Sequence, residues 1–396
     1  MSRNVVIASG VRTAIGDFGG SLAGISPCDL AASVAREAIA RAGIAPSDVG
    51  QTVFGHVIHT APEDMYISRV AAIRAGVPET SPALTLNRLC GSGLQAIVTA
   101  AEQILLGNAD ITLAGGAESM SRAGHLLTQA RHGQKMGDTL ALDMMTGALT
   151  DPFGNGHMGI TAENISQRAG IDRAAQDAFA LESHKRAARA IAEGRFVDQI
   201  LPLTVKQGRK EFVFDTDEHV RADVSLADLA KLRPAFRKDG TVTAGNASGI
   251  NDAGAAVVLM EEGVAAARGV VPLGRIVAYG LGGVAPEVMG LGPVPAVKQA
   301  LQRAGLAVSD IDVIESNEAF AVQACAVSAE LGFAPEKVNP NGGAIALGHP
   351  VGASGAIILI KALYELKRTG GRYGLATMCI GGGQGIAVIV ENPAHG

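Results

Sequence analysis

The chain repeats itself. The segment Ala38–Gly50, AIARAGIAPSDVG, matches Ala300–Asp312, ALQRAGLAVSDID, at seven of thirteen positions, an offset of 262. Without a gap, the same offset carries Ser92-Gly93 onto Ser354-Gly355, and Ala114, behind a β-branched run, onto Ala376. A chance likeness between two Ala-rich helices would not hold one register over so long a stretch. The chain therefore contains one helix–turn–strand plan twice, and two such copies pack as a pseudo-dyad pair with equivalent helix starts facing a shared centre. Short apolar runs alternate with helical periodicity, which predicts α/β layers with strands covered on both faces. The expected strands are Asn4–Ser9, Thr52–Ile58, Ile111–Gly115, Ala256–Met260, Arg275–Tyr279, Asp312–Ser316, Gly374–Cys379 and Ile386–Glu391. The expected helices include Leu30–Ala42, Gly93–Leu106, Ala174–Glu193 (with Asp172 as its cap), Ala296–Ala304 and Gly355–Arg368.

Between the copies, residues 121–250 show no such repeat and read as a large insertion, the usual place for binding residues on a rigid scaffold. The organisation expected is residues 1–120 plus 251–271 as one half, 121–250 as a loop domain, and 272–396 as the other half. Charged residues are only 18% of the chain, against about 25% in an average soluble domain, which points to much buried surface. A net charge of −5 without a Lys/Arg block argues against a nucleic-acid partner. No stretch approaches the ~20 apolar residues of a membrane span, and the start has no signal-peptide pattern. Cys28, Cys90, Cys325 and Cys379 lack metal spacing and are too sparse for a disulfide framework, so a reducing cytoplasm is the expected setting.

Four constellations could carry chemistry. In Asn87–Ile97, NRLCGSGLQAI, an apolar stretch enters a Gly-rich turn and then a helix, placing Cys90 at a helix N-terminus. That position lowers a thiol's pKa and suits a nucleophile; the plain alternative is a buried structural cysteine. The same run fits G-x-G-x-x-A, a weak dinucleotide signal that lacks a well-placed acid downstream and leaves Cys90 unexplained. In Asn341–Gly355, His349 lies three residues before Gly352, the repeat mate of Cys90. If the halves face each other, His349 comes close to the Cys90 sulfur and can take its proton. In Cys379–Gly385, CIGGGQG, three glycines let N–H groups converge as an oxyanion site requires. Cys379 itself could be a second nucleophile, a base, a redox partner or a bystander in a hairpin. In Glu315–Phe320, ESNEAF, Asn317 at a strand end could hold a water or donate to an oxyanion, with Glu318 structural. His56-Val-Ile-His59 alternates with apolar residues and reads as strand rather than metal site.

Taken together, NRLCGSGLQAI, NEAFA, GHPVGASG and CIGGGQG resemble the motifs of the thiolases, in order and over essentially the whole chain. The nearest resemblance is to short-chain bacterial β-ketothiolases, including those of relaxed chain length. It implies a five-layer αβαβα fold of two similar halves with a loop domain. The implied activity is reversible Claisen condensation, two acetyl-CoA giving acetoacetyl-CoA and CoA, or a broader 3-ketoacyl-CoA thiolysis. Cys90 would carry the acyl group, His349 would activate it, and Cys379 would exchange the α-carbon proton. Asn317, through a water and with His349, would form one oxyanion hole, and the N–H groups of Cys90 and Gly381 the other. Coenzyme A contacts would fall on Leu149, His157, Met158, Arg221, Phe236, Ala244 and Ser248, and the acyl end on Met289, Ala319 and Phe320. Of these, Arg221 is the best candidate for a phosphate, in a stretch only mildly basic. Coenzyme A and acyl-CoA are substrates here, no cofactor or metal is implied, and members are usually homotetramers built through Leu126–Met145. His56, where Asn is expected, and Ser316, where Ala is common, depart from the pattern without removing a catalytic group. A decarboxylating ketoacyl synthase is disfavoured by having both Cys379 and Asn317. A silent acyl-CoA binder is disfavoured by the intact Cys90, His349 and Cys379.

Overall fold

The computed structural model describes residues 3–395. In chain order the first copy supplies β1 (Val5–Thr13), α1 (Pro27–Arg41), β2 (Gln51–Gly55), β3 (Ala83–Leu86), α2 (Ser92–Leu105) and β4 (Ile111–Ser119). The middle region contributes α3 (Met158–Ala169) and α4 (Arg173–Ala192), and the chain then returns through β5 (Asn251–Glu261). The second copy follows as β6 (Gly274–Gly283), α5 (Pro293–Ala304), β7 (Ile311–Ser316), α6 (Ala321–Leu331), α7 (Val351–Thr369), β8 (Tyr373–Ile380) and β9 (Gln384–Glu391).

The strands run in the spatial order β7-β8-β9-β6-β1-β5-β4-β2-β3. About the central β6–β1 junction the order and the strand directions mirror each other. The β8–β9, β9–β6, β1–β5 and β5–β4 pairs are antiparallel, whereas β7–β8 and β4–β2 are parallel. The junction itself is short and antiparallel, Val6 facing Arg275 and Ile7 facing Gly274. The repeat survives in fine detail. Residues Pro46–Asp48 and Val308–Asp310 form matching 3₁₀ turns, in which Asp48 accepts from Ala45 N at 3.0 Å and Asp310 from Ala307 N at 2.8 Å.

Helices α2 and α7 form the middle layer, and α1 and α5 cover the outer faces. Fifteen of the nineteen residues of α7 are buried, as a helix packed on all sides must be. The two central helices cross at their starts through repeat-mate glycines. A Cβ on Gly93 would sit 2.9 Å from Ala356 N and Gly352 O, and one on Gly355 would sit 2.4 Å from Leu94 N. The middle region is tied to this core by Asp217, whose carboxylate grips the fully buried Arg12 at 2.7 and 2.9 Å. Asp172 caps α4 by accepting from Ala175 N at 2.8 Å.

Several local expectations change, among them that β1 runs on to Thr13 and β5 begins at Asn251. Strand β4 runs past Gly115 to Ser119, because Gly115 and Gly116 are where other backbone presses on the strand: a Cβ would lie 2.1 Å from Ala255 O and 2.0 Å from Gly352 O. Helix α7 begins at Val351, a full turn before Gly355, since Pro350 supplies an N-terminal cap position without needing its N–H. The segment His56–His59 is not strand: β2 stops at Gly55, and the two imidazoles stack with centroids 5.3 Å apart.

Candidate active site

Cys90 projects from a turn that Leu89 makes in the left-handed region, at φ 46°. For a branched side chain this costs on the order of 1–3 kcal/mol, and three bonds hold it. Leu89 N donates to Asn87 Oδ1 at 2.8 Å, Arg88 N donates to Ser92 Oγ at 2.8 Å, and the Ser92 hydroxyl donates to Leu89 O at 2.6 Å. Cys90 ends one residue short of Gly91, the cap of α2, and the N–H groups of Gly381 and of Cys90 itself favour the charged form of its sulfur.

His349 sits before Pro350 at the start of α7. Its backbone N donates to Asn251 Oδ1 at 2.9 Å, and Gly348, at φ 109°, leaves Asn251 the room to be there. Its Nδ1 lies 2.6 Å from Ser354 Oγ, whose one proton goes to Pro350 O at 2.9 Å. The hydroxyl therefore accepts from the ring, Nδ1 carries the proton, and Nε2 presents its lone pair. Asn317 Nδ2 stands 3.5 Å from Nε2. Cys379 closes β8 opposite Gly385, and the chain turns into β9 through Gly382 and Gly383, at φ 82° and 91°.

These groups meet at one cavity of about 570 Å³. Cys90, His349, Cys379 and Gly381 line it, with all ten residues expected to contact substrate. Asn317 does not; it stands behind the His349 ring and reaches the site through Nε2. One wall is aromatic: His157 stacks on Phe236 at 4.7 Å, and Phe236 meets Phe320 edge-on at 6.2 Å. Gly159 is required there, since a Cβ would lie 2.2 Å from the Phe236 ring.

The electrostatics reverse one expectation. Cys90 opens onto the cavity but is crowded by protein elsewhere, and that burial pushes its thiol up to about 11, against the two N–H groups and with Glu118 adding to the rise. Burial pushes His349 down to about 4. The thiol of Cys379 is also driven up, by burial and by Cys90. The helix start does not outweigh desolvation, so the resting pair is neutral thiol and neutral imidazole rather than thiolate and imidazolium.

Residues 5–263 match the description "Thiolase, N-terminal domain" and residues 270–392 match "Thiolase, C-terminal domain". The chain belongs to the thiolase family. It is 62% identical over 392 residues to beta-ketothiolase BktB of Cupriavidus necator, covering 99% of this chain and all of that protein. It is 51% identical to an acetyl-CoA acetyltransferase of Chromobacterium violaceum, over 98% of this chain and all of the relative. Among solved structures, the human mitochondrial 3-ketoacyl-CoA thiolase superposes with a TM-score of 0.97 at 42% identity, covering 98% of this chain and 99% of its own. The acetyl-CoA acetyltransferase of Bacillus anthracis gives 0.96 at 46%, with 99% of each chain covered. The five-layer expectation is met.

This thiolase also lines its cavity with residues the sequence reading missed, among them Asp17, Val57, Met120, His219 and Val351. Met120 and Val351 pack with Ile58 beside Cys90 in a small apolar cluster. Val351 sits inside GHPVGASG, and the other four come from four separate segments.

Proposed function

We propose that this thiolase makes and cleaves short-chain 3-ketoacyl-CoA by reversible Claisen condensation, two acetyl-CoA giving acetoacetyl-CoA and CoA, through an acyl group on Cys90. The observation that carries this is the convergence of Cys90, His349, Cys379 and the Gly381 N–H on one apolar-walled cavity. In the degradative direction Cys90 attacks the 3-keto carbon as its proton passes to His349 Nε2. The two N–H groups already aimed at the sulfur, from Cys90 and Gly381, then stabilise the carbonyl oxygen. The C2–C3 bond breaks, Cys379 protonates the departing acetyl-CoA enolate, and Asn317 with His349 supports the enolate oxygen through a water. Cys379 next takes the proton of free CoA, whose sulfur attacks the Cys90 thioester, and His349 returns its proton to Cys90. A neutral starting pair suits this sequence, because charge forms only when the substrate is seated.

The direct test is mass spectrometry of the Cys90 peptide after brief, acid-quenched incubation with acetoacetyl-CoA. An acetyl group on Cys90, discharged by CoA, is expected; an unmodified Cys90 with CoA still bound overturns the catalytic reading.

We also assign the protein to a homotetramer in a reducing cytoplasm. Support comes from the hairpin stretch Leu126–Met145, where Leu126, Leu127, Met136, Leu140 and Leu142 are exposed at 49, 48, 90, 65 and 42%. Exposed apolar side chains gathered in one stretch are what a subunit interface would cover. Light scattering should give four chains for the wild type and a smaller particle for Leu127→Ser/Leu140→Ser. All four cysteines are free, and among the described residues no helix is long and apolar enough to cross a membrane.

A further inference from the structure

Three consecutive residues of the middle region, Asp217, Glu218 and His219, each grip the segment that follows β1. Asp217 holds Arg12 through both oxygens and accepts from Ile15 N at 2.8 Å. Glu218 donates its N to Ile15 O at 3.2 Å and accepts from Ser21 N at 3.2 and 3.3 Å. His219 bonds through Nδ1 to Asp17 Oδ1. Asp17 Oδ1 also accepts from Asn251 Nδ2 at 3.3 Å, and Asn251 is the residue that holds the backbone of His349. The imidazole is thus held by one N-terminal carboxylate, Asp17, on a backbone that Asp217 and Glu218 anchor to the same segment.

The mounting aims it. Bonding to a carboxylate places the proton on Nδ1 and leaves Nε2 free. The Cε1–Nε2 edge of the ring approaches Gly249, where a Cβ would come within 2.6 Å of Cε1, 2.8 Å of Nε2 and 2.7 Å of Asn251 Oδ1. Asp17, His219 and Gly249 all line the substrate cavity, and the ring is 14% exposed there. A cavity with mostly apolar walls spends its few polar groups on orientation. An acyl-CoA thioester threads such a cavity with its pantetheine arm, whose polar groups are amides. An amide offers both an N–H and a C=O, so it satisfies Nε2 in either protonation state.

We propose that His219, oriented by Asp17, is an amide-binding subsite for the pantetheine arm of the substrate. The assignment rests on the acyl-CoA reading above and adds a residue to it. It predicts that the value of His219 depends on whether the thioester carries amides.

The test compares acetoacetyl-CoA, acetoacetyl-N-acetylcysteamine and S-ethyl thioacetoacetate in wild type, His219→Ala, His219→Gln and Gly249→Ala. With acetoacetyl-CoA, His219→Ala should raise KM about three- to tenfold, the value of one neutral hydrogen bond, while kcat changes little. Gly249→Ala, which crowds the ring and also Asn251, should raise KM and lower kcat as well, and His219→Gln should recover most of the loss of His219→Ala. The wild-type to His219→Ala ratio of kcat/KM should collapse toward one with the S-ethyl thioester, which has no amide. An unchanged KM with acetoacetyl-CoA overturns the proposal. So does an equal loss with all three thioesters, which would mean that His219 acts through Asn251 on His349. The wild type's acylation of Cys90 by the S-ethyl thioester is read in the same series. If no thioester labels Cys90, the thiolase mechanism fails; if it is labelled and the ratio ignores the amides, only the His219 assignment fails.

Discussion

The two helix starts that meet at the site are copies of one sequence and do opposite things. In the first, Cys90 stands in a strained turn before α2, and Ser92 locks that turn by donating three residues back, to Leu89 O. In the second, Ser354, its repeat mate, donates four residues back, to Pro350 O, and locks the His349 ring instead. The mate of Cys90 is Gly352, where no side chain fits: a Cβ would lie 2.6 Å from Glu118 Oε2, to which Gly352 N donates at 2.9 Å. The mate of His349 is Asn87, which caps Leu89 N rather than facing substrate. Duplication therefore supplies two matched helix starts aimed at one centre. The chemistry arises where the copies have stopped being alike.

The comparison breaks most severely at the unmatched side chains. Cys90→Ser should lower kcat on the order of 10⁴-fold or more, since nucleophile loss disables the whole unit. Cys379→Ser and His349→Gln, each removing one proton carrier, should cost about 10²–10⁴-fold. Steady-state thiolysis of acetoacetyl-CoA, with circular dichroism to confirm folding, measures all three. If Cys90→Ser proved no worse than the other two, the asymmetry between the halves would lie elsewhere.

The matched serines sharpen it. Ser354→Ala should free the His349 tautomer and lower kcat roughly tenfold to a hundredfold while leaving KM nearly unchanged. Ser92→Ala strips the strained turn of two of its three bonds and should cost about 1–3 kcal/mol of stability, read as a lower chemical-denaturation midpoint. Equal effects of the two substitutions on kcat would show that both serines are mere helix-start caps. Gly352→Ala should cost a similar amount by pushing Glu118 off the start of α7, and Gly91→Ala should also destabilise, through a contact 2.4 Å from Ile380.

The symmetric part of the molecule was legible for a plain reason. A gapless offset reports on the backbone, and the paired 3₁₀ turns and crossed glycines are backbone features. Cys90, His349 and Cys379 were legible because glycines mark the turns that carry them. The strand ends past Gly115 and before Ala256 were not, since a glycine required by close packing looks the same in sequence as one that ends a strand. Nor could sequence show how deeply Cys90 lies. A helix start lowers a thiol's pKa and desolvation raises it, and the tertiary packing that excludes solvent decides which is larger. Asp17 and His219 escaped because the site they complete exists only once Arg12 and Asp217 have brought two distant segments together.

Titration separates the two halves as well. His349 in the second half and Cys90 in the first are both held neutral by burial, His349 down at about 4 and Cys90 up at about 11. On the acid side the unfolded chain protonates its histidines near 6.5 while folded His349 stays neutral to about 4. Stability is therefore full above 6.5 and is lost as pH falls between those values, at about 1.4 kcal/mol per unit for one such group. His184, also depressed to about 4, adds its own share. On the alkaline side the unfolded thiols ionise first, so stability is lost as pH rises from about 9 toward 11, with Cys28, Cys325 and Cys379 contributing alongside Cys90. Melting temperature against pH should thus show a plateau between about 6.5 and 9. His349→Asn should make the acid slope shallower without removing it, and leave the alkaline slope as it was; Cys90→Ala should do the reverse. A wild type whose stability is flat from pH 4 to 6.5 would mean that folded His349 takes up its proton as readily as it does in the unfolded chain, and that burial does not hold it neutral.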